Sequence, residues 1–422
     1  MIISSKTKKI STHVIIKTMK SIAWFTVDFD SGSGGHRTIF QNFNYLAEKG
    51  YKCDLYVDDT TSTPEEIRKK IEDNYFPLNG EIFCTVKPTK TYDISIATFY
   101  STAKYVYHSS SKHKLYFAQD YEPWFFPMCE SKIEAENSYA LGLKTITIGN
   151  WLSYRIASKF NTETSSFSFC ADLKTYHPID NIKKENAICC VFQPDKPRRC
   201  SNLVLQSAQL VKALRPETTI YLFGSEKKEI HNLEATHLGI LKTDELNALY
   251  NRCSAGLCIS SSNPSRIPFE MMAAGLPVVD LYRENNFYDL PSSSCLLSDA
   301  TPESLASALI KIIDNNSLRK KMSDSGRKYM QKFPLDRGFK EFYHFISSLD
   351  CQTNSAKPKN KKIYNAPTVD RMSKFAQIPQ SGKLKPPFIT DFPPEPAEEK
   401  TEPKPVPLTA KIKYKLTHLL KP

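Results

Sequence analysis

Four stretches of the 422-residue chain hold residue types that could do chemistry. The first is Asp28-Phe29-Asp30-Ser31-Gly32-Ser33-Gly34-Gly35-His36-Arg37, which runs from an apolar segment into a helical pattern. Glycines let a ligand approach the backbone, and a helix start presents free amides to an anion, so Gly34 and Gly35 are candidates for holding one. The spacing is not Gly-x-Gly-x-x-Gly and does not single out a dinucleotide. The second stretch, Gln119-Asp120-Tyr121-Glu122-Pro123-Trp124-Phe125-Phe126-Pro127, offers acids for sugar hydroxyls and aromatic faces for a sugar ring, with Asp120 directly after an apolar run. The third, Gln193-Pro194-Asp195-Lys196-Pro197-Arg198-Arg199, puts two guanidinium groups where they could clamp a diphosphate. In the fourth, a polar loop from Ser261 through Ser262 and Asn263 leads to Glu270, a carboxylate in the otherwise apolar Phe269–Ala274, then to Gly275-Leu276-Pro277-Val278-Val279. A carboxylate so placed needs a partner, and a ribose or sugar hydroxyl would serve. The plain alternatives are a surface turn, core aromatics, a solvated cation pair and a glutamate favoured by a helix dipole.

The elements that must position these residues follow from periodicity. Ile22–Val27, Asp54–Val57, Ile94–Thr98, Leu115–Ala118 and Thr145–Ile148 are short, β-rich apolar runs without alternation, the pattern of strands buried on both faces. Between the first two, Ile39, Phe43, Leu46 and Ala47 recur at helical spacing, with Gly50 placed to end the helix. The pattern restarts with Ala187–Phe192, Thr219–Gly224, Ala255–Ser260 and Pro277–Tyr282, separated by helical stretches such as Leu203–Leu214, Pro302–Ile313 and Leu318–Phe333. Strands alternating with helices imply parallel sheets, and ligands of such sheets bind beyond the carboxyl ends of the strands. The expected fold class is α/β: a Rossmann-like domain over 21–171, a linker over 172–186 and a second Rossmann-like domain over 187–350, facing each other across a cleft.

Charge is uneven. Residues 1–20 hold five Lys and no acid, and residues 351–422 hold 14 Lys and Arg against six acids, while the body between is nearly neutral. Basic charge outside the folded body argues against a nucleic-acid-binding fold and for an anionic membrane surface or partner. Residues 351–422 also carry 12 of the 27 Pro, which predicts a disordered tether over 351–407. In 408–422, Leu408, Ile412, Leu416, Leu419 and Leu420 share one helical face flanked by Lys411, Lys413 and Lys421. No run reaches the roughly 18 apolar residues of a spanning helix, and the apolar patch Val14–Ile16 is too short for a signal peptide. The 11 Cys form no Cys-x-x-Cys pair, so reduced thiols in a cytosolic protein are expected, not a disulfide framework or zinc site.

Together the stretches resemble the retaining glycosyltransferases of family 4, which have the GT-B fold of two Rossmann-like domains. The fourth is similar to their signature of Glu, seven residues, Glu, a small-residue helix and Gly-x-Pro-Val-Val. Glu270 matches the second Glu, and Ser262 stands where the first would be. Gly34-Gly35-His36-Arg37 and Gln119–Trp124 resemble a bacterial subgroup that includes rhamnosyltransferases of surface glycans. The resemblance covers roughly 20–350 and implies sugar transfer from a nucleoside diphosphate donor to a glycan or lipid-linked glycan hydroxyl. It implies a cytoplasmic enzyme, peripheral at the inner membrane face, needing no cofactor or metal. Asp28-Phe29-Asp30 is then a polar loop. The implied catalytic residues are Asp120, Arg198 and Arg199. Gly34, Gly35, Lys242, Ser262, Asn263 and Glu270 would bind the donor, and Glu122 and Trp124 the acceptor. A non-catalytic sugar-nucleotide-binding or scaffold subunit and a GT-B epimerase are the alternatives.

Overall fold

A computed structural model describes residues 20–29, 32–88, 90–227, 233–351, 358 and 360–369. The arm over 1–20 (except Lys20), most of 351–407 and all of 408–422 lie outside the described residues.

Seven parallel strands form the first sheet: β1 (Ser21–Val27), β2 (Lys52–Asp58), β3 (Glu81–Phe83), β4 (Ile94–Ala97), β5 (His113–Ala118), β6 (Lys144–Ile148) and β7 (Thr164–Phe167), in the order β3-β2-β1-β4-β5-β6-β7. The second has six: β8 (Ala187–Val191), β9 (Thr219–Phe223), β10 (Thr236–His237), β11 (Ala255–Leu257), β12 (Val278–Leu281) and β13 (Cys295–Ser298), in the order β10-β9-β8-β11-β12-β13. In both sheets the order reverses beside the first strand, and ligands of doubly wound sheets bind at such a point. The short strands β3, β7, β10 and β13 are too brief or too polar to stand out in the sequence.

The helices are α1 (Gly34–Glu48), α2 (Pro64–Asn74), α3 (Tyr100–His108), α4 (Glu130–Ala140), α5 (Asn150–Phe160), α6 (Ser201–Leu214), α7 (Thr243–Arg252), α8 (Ile267–Ala273), α9 (Pro302–Asp314), α10 (Asn316–Met330) and α11 (Leu335–Ser347). Ser33 caps α1, its Oγ accepting from the His36 N–H. Gly32 ahead of it has φ +77°, a left-handed conformation that glycine adopts without strain.

Two parts of the chain depart from the sequence reading. The sequence pattern places all of 187–350 in the second domain, yet α11 crosses back to the first sheet. Its Phe342 is fully buried, with ring centroids 5.9 Å from Trp24 and 5.2 Å from Phe117. An apolar stripe through Phe342, Phe345 and Ile346 covers β7 and leaves the polar face outward. Likewise, residues 360–369 fall inside the expected tether but are pinned to the body. Ile363 and Tyr364 N–H donate to the Phe287 carbonyl at 2.8 and 2.9 Å, and Val369 N–H donates to the Leu297 carbonyl at 3.0 Å. Tyr364 is buried among Phe287 and Tyr282. The buried Tyr364 ring and these backbone hydrogen bonds together dock the segment. All eleven cysteines are free, and Cys189 and Cys190 are buried in β8.

Candidate active site between the two sheets

The strand ends of the two domains meet through a few specific contacts. Asn263, in the loop between β11 and α8, donates from Nδ2 to the Gln119 carbonyl at 3.0 Å and to the Ile148 carbonyl at 3.4 Å, at the ends of β5 and β6. Gln119 in turn donates from Nε2 to the Gly35 carbonyl at 3.2 Å, tying the start of α1 to the same place. Phe169 and Phe269 stack at 4.6 Å with a 6° interplanar angle.

At this junction Asp120 of the first domain faces Arg198 of the second, with Nε 3.6 Å from Oδ2. Asp120 is held from behind by the Tyr121 N–H at 2.8 Å. Burial pushes its carboxyl above the ordinary range, while Arg198, the Ser262 hydroxyl and Arg199 pull the other way. The Arg198 guanidinium lies over the Phe125 ring, 4.5 Å from its centroid. Its backbone carbonyl accepts from the Ser261 N–H at 3.0 Å, so the arginine turn and the polar loop are joined. Arg199 reaches the Ile259 carbonyl at 3.5 Å. Gly34 and Gly35 are exposed, with no atom close enough to demand glycine, which leaves room at the start of α1.

Glu270 belongs to a neighbouring cluster. Burial raises its carboxyl, and Arg266, Arg37 and the Tyr176 hydroxyl lower it. Arg266 also crosses to α1, donating from Nη1 to Gln41 Oε1 at 3.0 Å. Arg37 and Arg266 lay in the motifs but were passed over. Tyr176, from the linker, carried no sequence signal.

The structure thus brings Asp120, Arg198, Arg199, Ser262, Asn263 and Gly35 together, with Glu270 alongside. Three candidates stand apart. Glu122 is buried inside the first domain, accepting from the Tyr100 N–H at 2.6 Å and the Tyr116 hydroxyl at 2.9 Å, so it caps α3. Its carboxyl is pushed up to about 8, chiefly by burial. Trp124 packs into a ring cluster with Tyr121 at 5.1 Å and Trp151 at 5.4 Å. The neighbouring Phe125 is the aromatic under Arg198, a distinction that a three-residue aromatic run cannot give. Lys242 is exposed at the start of α7, its N–H donating to Glu245 Oε2 at 2.7 Å.

A buried acid outside the candidate set lies near Arg199. Asp280 in β12 is fully buried, accepts from the Leu281 N–H at 2.7 Å and is pushed up to about 8 by burial, with Arg199 opposing the shift. An aspartate inside an apolar strand was its sequence signal.

The two-sheet fold is shared with solved structures. TarM from S. aureus, solved with UDP, superposes with a TM-score of 0.62 over 78% of this chain and 100% of its own, at 10% identity. HepE from Anabaena, solved with UDP and glucose, gives 0.60 over 78% and 100%, at 14% identity. The chain has the GT-B fold. Residues 186–310 match the family model of the WsaF C-terminal domain, which places the second domain of this GT-B chain beside that family. A curated relative, the O-antigen biosynthesis protein RfbC of Myxococcus xanthus, is 26% identical over 330 residues, covering 74% of this chain. The chain spans about a quarter of that relative's length.

Proposed function

We propose that the protein is a nucleotide-sugar-dependent glycosyltransferase of bacterial surface polysaccharide synthesis, belonging to family 4 and acting with retention of configuration. The observation that carries this is the meeting of Arg198 and Arg199 from one domain with Asp120 from the other, beside the open start of α1. Anion-binding groups and a carboxylate then face one space at two sets of strand ends. The matches to the WsaF C-terminal domain and to an O-antigen biosynthesis protein support a surface glycan as product. The resemblance of the first-domain motifs points to rhamnose as the sugar.

In this reading the bond from the sugar's anomeric carbon to the diphosphate oxygen breaks, and a bond from that carbon to an acceptor hydroxyl oxygen forms. Arg198, Arg199 and the α1 amides stabilise the charge that develops on the departing diphosphate. The diphosphate oxygen takes the acceptor's proton, so no side-chain base pair is needed. Glu270, held between Arg37 and Arg266, binds a hydroxyl of the donor. The cations replace a metal ion in this scheme. The acceptor is a glycan or lipid-linked glycan, and the basic termini would hold the enzyme at the inner membrane face.

A thermal-shift panel of nucleoside diphosphate sugars tests the reading, since a ligand at 100 times its Kd stabilises by about 2.7 kcal/mol. A stabilising donor should then yield a glycoside with the anomeric configuration of the donor. A free, altered sugar would establish an epimerase instead. Binding without turnover above background would establish a non-catalytic subunit.

A further inference from the structure

The Asp120–Arg198 pair has a tightly held side and a loosely held side. The Asp120 carboxylate is anchored by the Tyr121 N–H at 2.8 Å and neighbours the Ser262 hydroxyl. The Arg198 backbone is anchored by the Ser261 N–H, but its long side chain touches Asp120 only through Nε at 3.6 Å, beyond hydrogen-bond length. A face contact with Phe125 at 4.5 Å supports the guanidinium without directing it. Both side chains keep some access to solvent, 26% for Arg198 and 18% for Asp120. A guanidinium held by a loose ion pair and an aromatic face exchanges partners readily, and a diphosphate offers it two bidentate edges where Asp120 offers one oxygen.

We propose that Asp120 is a placeholder for the donor's diphosphate, holding Arg198 until the donor enters and then releasing it. This rests on the donor reading above and adds an order to it. The diphosphate and Asp120 compete for one cation, so donor entry frees the Asp120 carboxylate at the moment when an acceptor hydroxyl can use it. The acceptor then binds second, to an acid that Arg198 otherwise occupies. Asp120 is therefore a positioning residue for Arg198 before the donor arrives and an acceptor contact afterwards.

Titration calorimetry with UDP, GDP, dTDP and inorganic pyrophosphate tests the exchange on the full chain. Asp120→Asn removes the competitor and should tighten the best-binding diphosphate by about two- to fivefold, the scale of a partly exposed ion pair. Arg198→Ala should weaken it, and adding Asp120→Asn to Arg198→Ala should then change nothing. Arg198→Lys serves in place of Arg198→Ala if the latter does not fold. An unchanged or weakened affinity in Asp120→Asn overturns the exchange. So does equal tightening in the Arg198→Ala background, which would reveal a general charge effect. Failure of every diphosphate to bind either wild type or Asp120→Asn overturns the donor reading itself. In turnover, Asp120→Asn should lower the donor KM and kcat together, a split that a merely structural aspartate would not give.

Discussion

Asp289 of the second domain caps a helix of the first: its carboxylate accepts from the Asn150 N–H at 2.9 and 3.1 Å and from the Trp151 N–H at 3.2 Å, at the start of α5. The contact is built in on both sides. Gly149, with φ +84°, has no room for a side chain, since a Cβ there would lie 2.4 Å from Phe169 and 2.9 Å from Asp289 Oδ2. Burial nevertheless pushes the Asp289 carboxyl up to about 6, against the three hydrogen bonds from Asn150 and Trp151.

An acid whose folded pKa exceeds its unfolded value binds its proton more tightly in the folded state. Its contribution to stability is fully present below about pH 4, the unfolded value, and is lost as pH rises through about 6. Asp289→Asn should therefore flatten the thermal-stability profile between about pH 4 and 6. Asp289→Ala removes the cap and should cost about 0.5–2 kcal/mol across the range. Denaturation midpoints at half-unit pH steps check both, and a wild-type slope kept by Asp289→Asn would assign the titration to another group.

Glu122 separates a structural acid from an acceptor contact. Glu122→Ala strands the Tyr100 N–H and should destabilise by about 1–3 kcal/mol. Glu122→Gln keeps an acceptor without burying a charge. It should be at least as stable as wild type above pH 8, where the wild-type carboxylate is ionised at a cost. Chemical denaturation reads this directly. A selective rise in acceptor KM in Glu122→Gln, with stability unchanged, would return Glu122 to the acceptor site.

Glu270 is tested from the donor side. If it accepts a hydrogen bond from a donor hydroxyl, Glu270→Gln should weaken donor binding or turnover by about 10- to 150-fold, from a charge-assisted bond of roughly 1.5–3 kcal/mol. Calorimetry and steady-state rates on the folded variant decide it. Unchanged kinetics would mean that Glu270 serves only Tyr176, Arg266 and Arg37.

The sequence made some of this visible for a physical reason. Buried parallel strands such as Ala187–Val191 and Thr145–Ile148 announce themselves as apolar runs, and a charge just beyond one, as with Asp120, marks a strand end. Asp120 was readable because it sits just past such a run, and Arg198 and Asn263 because they lie in the polar loops that follow two others. Which way a side chain turns was not readable. Glu122 and Asp120 are two residues apart, yet a 3-10 turn from Glu122 to Phe125 sends one inward and leaves the other facing the second domain. The return of α11 was hidden because its amphipathic face fits either sheet, and only the three-dimensional meeting with Trp24 and Phe117 decides the matter.

The docking of 360–369 changes how the C-terminal segment should be dissected. Asn360 touches both domains, donating from Nδ2 to the Tyr154 hydroxyl at 3.1 Å and accepting from the Tyr288 hydroxyl at 2.6 Å. Tyr364 fills a place beside Phe287 and accepts from the Leu297 N–H at 3.0 Å. A cut after residue 350 therefore strips the body of buried contacts. It should lower stability by about 2 kcal/mol or more, as should Tyr364→Ala in the full chain. A cut after residue 369 keeps those contacts and removes only the stretch that carries the amphipathic face Leu408–Leu420. Our hypothesis, from that face and its flanking lysines, is that 408–422 docks on an anionic membrane. Each Lys near such a surface adds about 1 kcal/mol. Deleting 370–422 should then leave the denaturation midpoint and soluble-acceptor transfer intact while releasing the protein from phosphatidylserine liposomes at physiological salt. Equal liposome binding by the shortened and full-length proteins would refute the membrane role of the segment. A lowered midpoint in the 370–422 deletion would show that the body needs more of the chain than residues 360–369.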